Sequence, residues 1–276
     1  MSDVVIVSAA RTPIGAFNGG LSSLSAVALG GTAIGEALAR GDIAASDVSE
    51  VIMGQVLTGG TGQNPARQAA AKAGIPMERT ALTINQVCGS GVRSVAMACQ
   101  AIQAGDSSIV VAGGQESMSQ STHCAPLRNG QKMGSLELID TMIVDGLWDA
   151  FNGYHMGTTA ENVAERWNIS RPDQDAFAAA SQQKAEAAQK VGRFEDEIVP
   201  VTVPGRRGDT VVDTDEHPKH GTTAEALQKL RAAFKKEGTV TAASSSKISD
   251  GAAATVLMSA QKAADMGLKP LATIIA

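Results

Sequence analysis

Residues 81–112, ALTINQVCGSGVRSVAMACQAIQAGDSSIVVA, indicate the fold class because their hydrophobic pattern changes twice within a short stretch. Residues 81–87 predict a strand, whereas residues 92–104 carry apolar side chains at 92, 95, 96, 99 and 102, the spacing of one helix face. Residues 108–112, SIVVA, predict a second, buried strand. The stretch therefore predicts a strand, a helix and a strand in immediate succession.

The same alternation precedes this unit. Residues 4–7 and 51–53 predict short buried strands, and residues 24–39 predict a helix with a face of small residues. Residues 65–73 predict another helix, with Gly74 just past its end. This βαβαβαβ order with short connections predicts an α/β domain with a mainly parallel sheet covered by helices.

The sequence becomes more polar and irregular from about residue 117 to residue 248, which predicts an inserted region. A helix is expected from Ser170 to about residue 190. A capping box of Thr222 and Glu225 predicts a further helix that ends at Phe234, and a β-ribbon is expected between these two helices. The insertion is therefore predicted to be of the α+β type.

The α/β pattern returns at Asp250. Residues 253–258 predict a strand, residues 259–266 a short helix, and residues 271–275 a last strand that no further element accompanies. An apolar strand normally pairs and is covered. We therefore expect that the chain is a fragment whose partner domain is missing.

Composition excludes several classes of function. The chain has 276 residues and a formal net charge of -5, whereas binding to nucleic acid or to an anionic membrane depends on many Lys and Arg contacts with phosphate. Three cysteines without a C-x-x-C pair indicate a reducing compartment, so the cytoplasm is expected. No stretch has the length of a membrane span, and the start lacks the pattern of a signal peptide.

The strongest chemical signal is the motif NQVCGSG at residues 85–91, where a strand gives way to a helix. Unpaired N–H groups at a helix start stabilise a thiolate, so Cys88 is a candidate nucleophile whose own N–H can stabilise an oxyanion. Glycines after Cys88 permit a tight turn and the close approach of a ligand. The alternative is that Cys88 is a small buried apolar residue and that the glycines only serve the turn.

The other candidate ligands and nucleophiles have structural interpretations. Cys99 lies on the apolar stripe of its predicted helix and is expected in the core. Cys124 and His123 are neighbours, which rarely aim at one reacting atom, so a structural role is favoured over a catalytic dyad. A metal site from His217, His220 and Cys124 lacks further ligands at zinc-like spacing, so no metal is expected.

The chain resembles the thiolase family over nearly its whole length. The resemblance rests on VCGSG at 87–91 followed by GGQESMS at 113–119, and on four further motifs in family order: RTPIG at 11–15, GQNPARQ at 62–68, GYHMG at 153–157 and SDGAAA at 249–254. Residues 139–152 are most similar to the biosynthetic acetyl-CoA acetyltransferases within that family.

The resemblance implies a fold of two similar α/β domains with an inserted loop domain. Residues 1–117 and 249–270 would form the N-terminal domain, a βαβαβαββ half with a mainly parallel or mixed sheet covered by helices. Residues 118–248 would form the loop domain, which carries contacts to coenzyme A (CoA) and between subunits. Residues 271–276 would begin a C-terminal domain that is missing.

The implied reaction is the Claisen condensation of two acetyl-CoA to acetoacetyl-CoA and free CoA, or its reverse, thiolysis. It follows a ping-pong course through an acetyl group on Cys88, needs no cofactor and serves polyhydroxybutyrate, ketone or fatty acid metabolism. The family also uses a histidine in a G-H-P motif and a second cysteine before a Gly-rich turn, both in the C-terminal half. This sequence matches neither, because its His217-Pro218 follows Glu216. Turnover by the 276-residue chain alone is therefore in question.

The resemblance also implies a set of CoA contacts that combines apolar side chains for pantetheine and adenine with polar groups for phosphate and amide. These residues are Leu147, His155, Met156, Lys219, Phe234, Ala242 and Ser246. Lys219 replaces the arginine often found there, which removes bidentate phosphate binding. Residues 243–249, ASSSKIS, also depart from the more Gly/Asn-rich form of biosynthetic members. Ordinary structural roles for His155 and Phe234 stay open.

Three alternative functions stay open. Within the enzymes these are a thiolase for longer 3-ketoacyl-CoA and a ketoacyl-synthase relative that shares the fold and the cysteine. The third alternative is not an enzyme but a non-catalytic module that binds CoA or a partner subunit. The family forms dimers, and biosynthetic members form tetramers, so a homo-oligomer is expected with residues 120–128 as a candidate contact.

Overall fold

The computed structural model describes residues 3–275. Its helices are α1 Ala26–Arg40, α2 Pro65–Lys72, α3 Ser90–Ala104, α4 Met156–Arg166, α5 Arg171–Lys190, α6 Ala224–Leu227 and α7 Ala260–Asp265. Its strands are β1 Val4–Arg11, β2 Gly15–Ala16, β3 Glu50–Gly54, β4 Thr80–Ile84, β5 Ile109–Ser117, β6 His123–Cys124, β7 Ile139–Asp140, β8 Trp148–Asp149, β9 Tyr154–His155, β10 Val201–Val203, β11 Thr210–Val212, β12 Ser249–Ser259 and β13 Ala272–Ile274. None of the helices in this described part combines the length and apolar character that a membrane crossing requires.

The described residues form two compact units. Unit 1 comprises residues 3–122, 197–216 and 249–275, and unit 2 comprises residues 123–196 and 217–248. Unit 1 contains a mixed sheet with the strand order β13-β1-β12-β5-β3-β4, and β2 pairs with β12.

The sheet is mixed rather than mainly parallel. β3 pairs in parallel with β4 and β5, as the alternation of strands and helices predicts. The pairings of β12 with β1 and β5 are antiparallel, and so is that of β13 with β1. β12 therefore separates β1 from β5 and reverses the hydrogen-bonding pattern there, although β1 and β5 themselves point the same way.

Helices cover both faces of this sheet. Val51 and Met53 of β3 belong to a buried cluster that contains residues of α1 and α2, whereas Ile52 between them packs with Ala98 and Ile102 of α3. Successive side chains of a strand point to opposite faces, so a strand covered on both sides is apolar throughout. This explains why the sequence shows continuous apolar runs here rather than alternation.

Residues 197–216 carry the predicted β-ribbon, β10 paired with β11, and belong to unit 1 rather than to the insertion. Arg11 of β1 explains this difference. Its guanidinium donates to both carboxylate oxygens of Asp215 at 2.7 and 2.9 Å and to Glu197 at 2.7 Å. Backbone hydrogen bonds also join Arg11 to Glu197 and Val199.

The last strand, β13, pairs with β1 of unit 1 through Val4 and Ile274. Its assignment to the start of a further domain stays a prediction. Met1, Ser2 and Ala276, which belong to the expected first and last segments, lie outside the described residues.

Unit 2 contains α4, α5 and short two-stranded ribbons. α5 begins as expected, because the Ser170 side chain accepts from the Asp173 N–H and Asp173 accepts in return from the Ser170 N–H. Ala178 and Ala179 of α5 form a small buried cluster with Leu227.

The predicted helix to Phe234 is wrong in its length and its cap. α6 ends at Leu227, and its N-cap is Thr223, whose side chain accepts from the Ala226 N–H at 3.2 Å. The guanidinium of Arg171 donates to the carbonyls of Leu227 and Leu230 at 2.8 and 2.9 Å. Tertiary hydrogen bonds therefore take the place of the bonds that would extend the helix.

Candidate active site

Cys88 lies in the turn between β4, which ends at Ile84, and α3, which begins at Ser90. The strand is three residues shorter than expected, yet the cysteine occupies the predicted junction. Its side chain is exposed, so the alternative of a small buried apolar residue is wrong. Cys88 is therefore accessible to solvent.

Hydrogen bonds fix the turn on both sides of Cys88. The Asn85 carboxamide oxygen accepts from the Val87 N–H at 2.9 Å, and the Ser90 hydroxyl accepts from the Gln86 N–H at 2.8 Å. The same hydroxyl donates to the Val87 carbonyl at 2.6 Å. The backbone before Cys88 is thus held by side chains of its own turn.

Val87 carries the unusual backbone conformation of this turn. Its φ is 48°, in the left-handed region, whereas Gly89 has an ordinary φ of -82°. A β-branched residue with such a φ is strained by about 1 to 3 kcal/mol and persists only where its surroundings enforce it. Gly89 therefore supplies no left-handed conformation to the turn, but it does supply room, because a Cβ on it would lie 3.3 Å from the Gln86 carbonyl oxygen.

Two further glycines, Gly54 and Gly113, permit close packing in the strands beneath the helix. A Cβ on Gly54, the last residue of β3, would come within 2.6 Å of the Ser90 carbonyl carbon and Cβ. A Cβ on Gly113 would come within 2.0 Å of the Ala253 carbonyl oxygen. The start of α3 therefore lies directly on the sheet. The sequence pattern was not used to predict a role for Gly54. The signal that could have identified it is a glycine at the end of an otherwise apolar strand.

Glu116, near the end of β5, is a partly buried titratable group of unit 1 that the sequence reasoning did not single out. Its carboxylate accepts from the Val56 and Leu57 N–H groups at 2.8 and 3.1 Å. Burial raises the pKa of Glu116, and these two hydrogen bonds oppose that effect only in part. The carboxylate anchors the segment that follows β3.

The other cysteines have different surroundings. Cys99 packs against the apolar cluster under α3, as expected. Cys124 is exposed in β6, and His123 beside it lies 3.8 Å from the Asp140 carboxylate. His220 contacts the Gln189 side chain at 2.8 Å, and the described part of the chain contains no group of three or more ligands placed to hold a metal ion.

The seven residues expected to contact CoA all belong to unit 2. The rings of His155 and Phe234 stack with centroids 5.0 Å apart and an angle of 18° between their planes. The Nδ1 atom of His155 caps α4 by accepting from the Gly157 N–H at 3.0 Å. Gly157 leaves room for the Phe234 ring, because a Cβ there would lie 2.1 Å from it.

Ala242 and Ser246 share one tight loop. Thr241, fully buried, accepts from Ser245 through its carbonyl at 2.6 Å, and the Lys247 ammonium donates to the Ala242 carbonyl at 2.7 Å. Ser246 lines a cavity of about 850 Å³ between α4, α5 and this loop.

Met156, Leu147 and Lys219 lie on other segments of unit 2. Met156 follows His155 and begins α4, and Leu147 ends a π-helical turn, Met142–Leu147. Lys219 is exposed, and its backbone N–H donates to the Gln182 side chain at 2.6 Å. The structure thus brings His155 together with Phe234 and Ala242 with Ser246, and the roles of all seven stay predictions.

Three comparisons place the chain among known proteins. Residues 4–261 match the family described as thiolase, N-terminal domain. Acetyl-CoA acetyltransferases of Allochromatium vinosum and Paracoccus denitrificans are 59% and 60% identical to it, and each match covers 99% of this chain and 70% of the relative. The crystal structure of the Bacillus anthracis acetyl-CoA acetyltransferase matches with a TM-score of 0.96 and 42% identity, over 100% of this chain and 70% of that one. The chain therefore belongs to the thiolase family, a family of acyltransferases.

Proposed function

We propose that the chain acts in acetyl-CoA C-acetyltransferase chemistry, with Cys88 as the nucleophile. The Cys88 thiolate attacks the carbonyl carbon of acetyl-CoA, the bond from that carbon to the CoA sulfur breaks, and the leaving thiolate takes up a proton. A second acetyl-CoA then loses a proton from its α-carbon, and this proton balances the one taken up by the leaving CoA thiolate. The α-carbon attacks the acetyl carbonyl carbon, the bond from that carbon to the Cys88 sulfur breaks, and acetoacetyl-CoA leaves with the Cys88 thiolate restored. The reverse sequence is thiolysis, and no step needs a cofactor.

The observation that carries this proposal is an exposed thiol on a strand-to-helix turn that its own neighbours hold fixed. The backbone N–H groups at the start of α3 are suited to stabilise negative charge on the thiolate and on the oxyanion of the tetrahedral intermediate. The relatives named acetyl-CoA acetyltransferase support the same reaction and substrate.

Intact mass spectrometry after incubation with acetyl-CoA tests the proposal. The wild-type chain is expected to gain one acetyl group, and the Cys88→Ala variant none. Cys124→Ala is the matched control, because Cys124 is also exposed, and it is expected to gain the group as the wild type does. Acetylation that survives in C88A, or none in the wild type, would overturn the proposal.

The length of the acyl chain is tested by thiolysis. A preference for acetoacetyl-CoA over a longer 3-ketoacyl-CoA is expected from the similarity of residues 139–152 to the biosynthetic type. A clear preference for the longer substrate would instead support the alternative thiolase, and binding of CoA without any acyl transfer would support the non-catalytic module.

The CoA contacts belong to this proposal. Lys219 would meet a phosphate of CoA as a point charge, so Lys219→Ala is expected to weaken the Kd for CoA, whereas Lys219→Arg is expected to strengthen it through bidentate contact. Lys184, an exposed lysine of α5 outside the seven residues, supplies the control Lys184→Ala. Calorimetry measures each Kd, and equal losses in K219A and K184A would remove Lys219 from the site.

The proposal also includes the assembly and location of the chain, which we expect to form a homo-oligomer, either a dimer or a tetramer, in the cytoplasm. Leu127, in the candidate contact of residues 120–128, is 45% exposed in the structure. Light scattering that shows a monomer at micromolar concentration would remove the oligomer. Fractionation of cells with an antibody to the chain tests the compartment.

A further inference from the structure

Ser90, the first residue of α3, is only 4% exposed, although Gln86, Val87 and Cys88 before it are all exposed. Its hydroxyl makes two contacts at once. It accepts from the Gln86 N–H at 2.8 Å and donates to the Val87 carbonyl at 2.6 Å. One buried hydroxyl thus bridges the two residues that precede the exposed thiol.

We propose that Ser90 is a positioning residue that holds the peptide before Cys88 and so fixes the direction of the thiol towards the acyl carbon. This inference rests on the proposed role of Cys88 as the nucleophile. Ser90 acts on the thiol only through the backbone of the turn.

The backbone at Val87 explains why such a contact is needed. Its left-handed φ of 48° is unfavourable for a β-branched residue, so the turn relaxes unless neighbouring groups hold it. The carbonyl that accepts from Ser90 belongs to the peptide that joins Val87 to Cys88. Relaxation at Val87 therefore rotates the Cys88 N–H together with the direction of its side chain.

Ser94 provides an internal comparison one turn further along α3. It is fully buried, and its hydroxyl donates to the carbonyls of Gly91 and Gly113 at 2.7 and 2.8 Å. Its contacts hold the helix to β5 and do not involve Gln86 or Val87. Ser90→Ala and Ser94→Ala thus each remove one buried hydroxyl with two contacts from the same helix, and only the first loosens the turn.

The experiment measures the rate of acetylation of Cys88 by acetyl-CoA in the wild type, S90A, S94A and Ser90→Thr, with the unfolding midpoint of each. S90A is expected to slow acetylation by about 10- to 100-fold, the cost of a misplaced reacting group. S94A is expected to lose stability and keep a rate close to the wild type. S90T, which retains a hydroxyl, is expected to recover most of the rate.

The readouts separate the possible failures. Equal rates in S90A and S94A would overturn the role of Ser90 and leave the proposed function standing, whereas a wild type that is not acetylated would overturn both. If S90A does not fold, amide hydrogen exchange in the wild type tests the role of Ser90. The Gln86 amide is expected to exchange more slowly than in an unstructured peptide, and exchange at the unstructured rate would overturn the proposal.

Discussion

Unit 1 and unit 2 are stabilised by different interactions. Unit 1 has a sheet with buried apolar clusters on both faces, whereas the buried apolar cluster described for unit 2 contains only Ala178, Ala179 and Leu227. Unit 2 relies on buried polar groups. Glu161, buried in α4, accepts from the N–H groups of Thr239 and Val240 at 2.9 and 2.8 Å, and the fully buried Asp175 pairs with Arg171 at 2.7 Å.

The proposed nucleophile in unit 1 and the proposed CoA contacts in unit 2 are therefore held in place by different kinds of interaction. Apolar burial is non-directional and tolerates little loss of volume, whereas a buried carboxylate depends on individual hydrogen bonds and on pH. Both tryptophans, Trp148 and Trp167, lie in unit 2, so their fluorescence reports on that unit. Far-UV circular dichroism also reports on the helices and sheet of unit 1.

The largest effect is expected from Leu29→Ala in unit 1. Leu29 of α1 is fully buried against the sheet, so its truncation is expected to cost about 2 to 5 kcal/mol of unfolding free energy through lost burial and a cavity. Denaturant unfolding followed by circular dichroism measures it. Leu271→Ala, at a residue 66% exposed in the same unit, is the control, and an equal loss there would contradict apolar dominance in unit 1.

The next effect is expected from Glu161→Ala in unit 2. Loss of the carboxylate leaves the N–H groups of Thr239 and Val240 without their acceptor, which is expected to cost about 1.5 to 3 kcal/mol. Tryptophan fluorescence during denaturant unfolding measures it. Glu165→Ala removes an exposed carboxylate of the same helix, 3.6 Å from Lys235, and is expected to cost little. Equal losses in the two variants would break the comparison.

The contribution of Glu161 is also expected to depend on pH. Burial by itself would raise its pKa, but hydrogen bonds from Thr239 and Val240 and the charge of Lys235 lower the pKa below its usual range. A carboxyl with a lowered pKa in the folded state stabilises the protein above its unfolded pKa, and this contribution is lost as pH falls through the folded pKa. The difference between wild type and E161A should therefore shrink on acidification.

A smaller effect is expected from Gly54→Ala, where the close packing of unit 1 reaches the candidate active site. The new Cβ would meet backbone atoms of Ser90 and Gly91 at 2.6 and 2.8 Å, so overpacking of about 1 to 3 kcal/mol and slower acetylation of Cys88 are expected. Gly91→Ala is the control, since its Cβ has no neighbour within 4 Å. Unchanged stability in G54A would show that the helix moves freely on the sheet.

The smallest effect is expected from Glu116→Gln, with a pH dependence opposite in sign to that of Glu161. Because burial raises the pKa of Glu116, the folded state holds this proton more tightly than the unfolded chain. The stability of the wild type therefore falls as the pH rises above about 4.3, the pKa of a glutamate in the unfolded chain. E116Q lacks this loss of stability. Its unfolding midpoint is therefore expected to exceed that of the wild type by an amount that grows as the pH rises from about 3.5 to 7. Glu78→Gln, which replaces an exposed glutamate of the same unit, is the control.

The local pattern predicted much of unit 1 and part of unit 2. The strand and helix alternation around residues 81–112 and the capping box at Ser170 were correct, because both depend on side-chain spacing within a few residues. The helix expected to reach Phe234 failed because Arg171, more than fifty residues earlier, donates to the carbonyls of Leu227 and Leu230. Such contacts leave no mark on the local pattern.

Local side-chain patterns were enough to predict the order of the main strands and helices of unit 1 and the position of Cys88 between a strand and a helix. These patterns did not predict that β12 inserts between β1 and β5, that residues 197–216 bind Arg11, or that Val87 carries the left-handed turn. Local periodicity indicates which face of a segment is apolar, whereas distant packing determines the partner that covers that face, and hydrogen bonds within the turn hold the strained Val87 peptide.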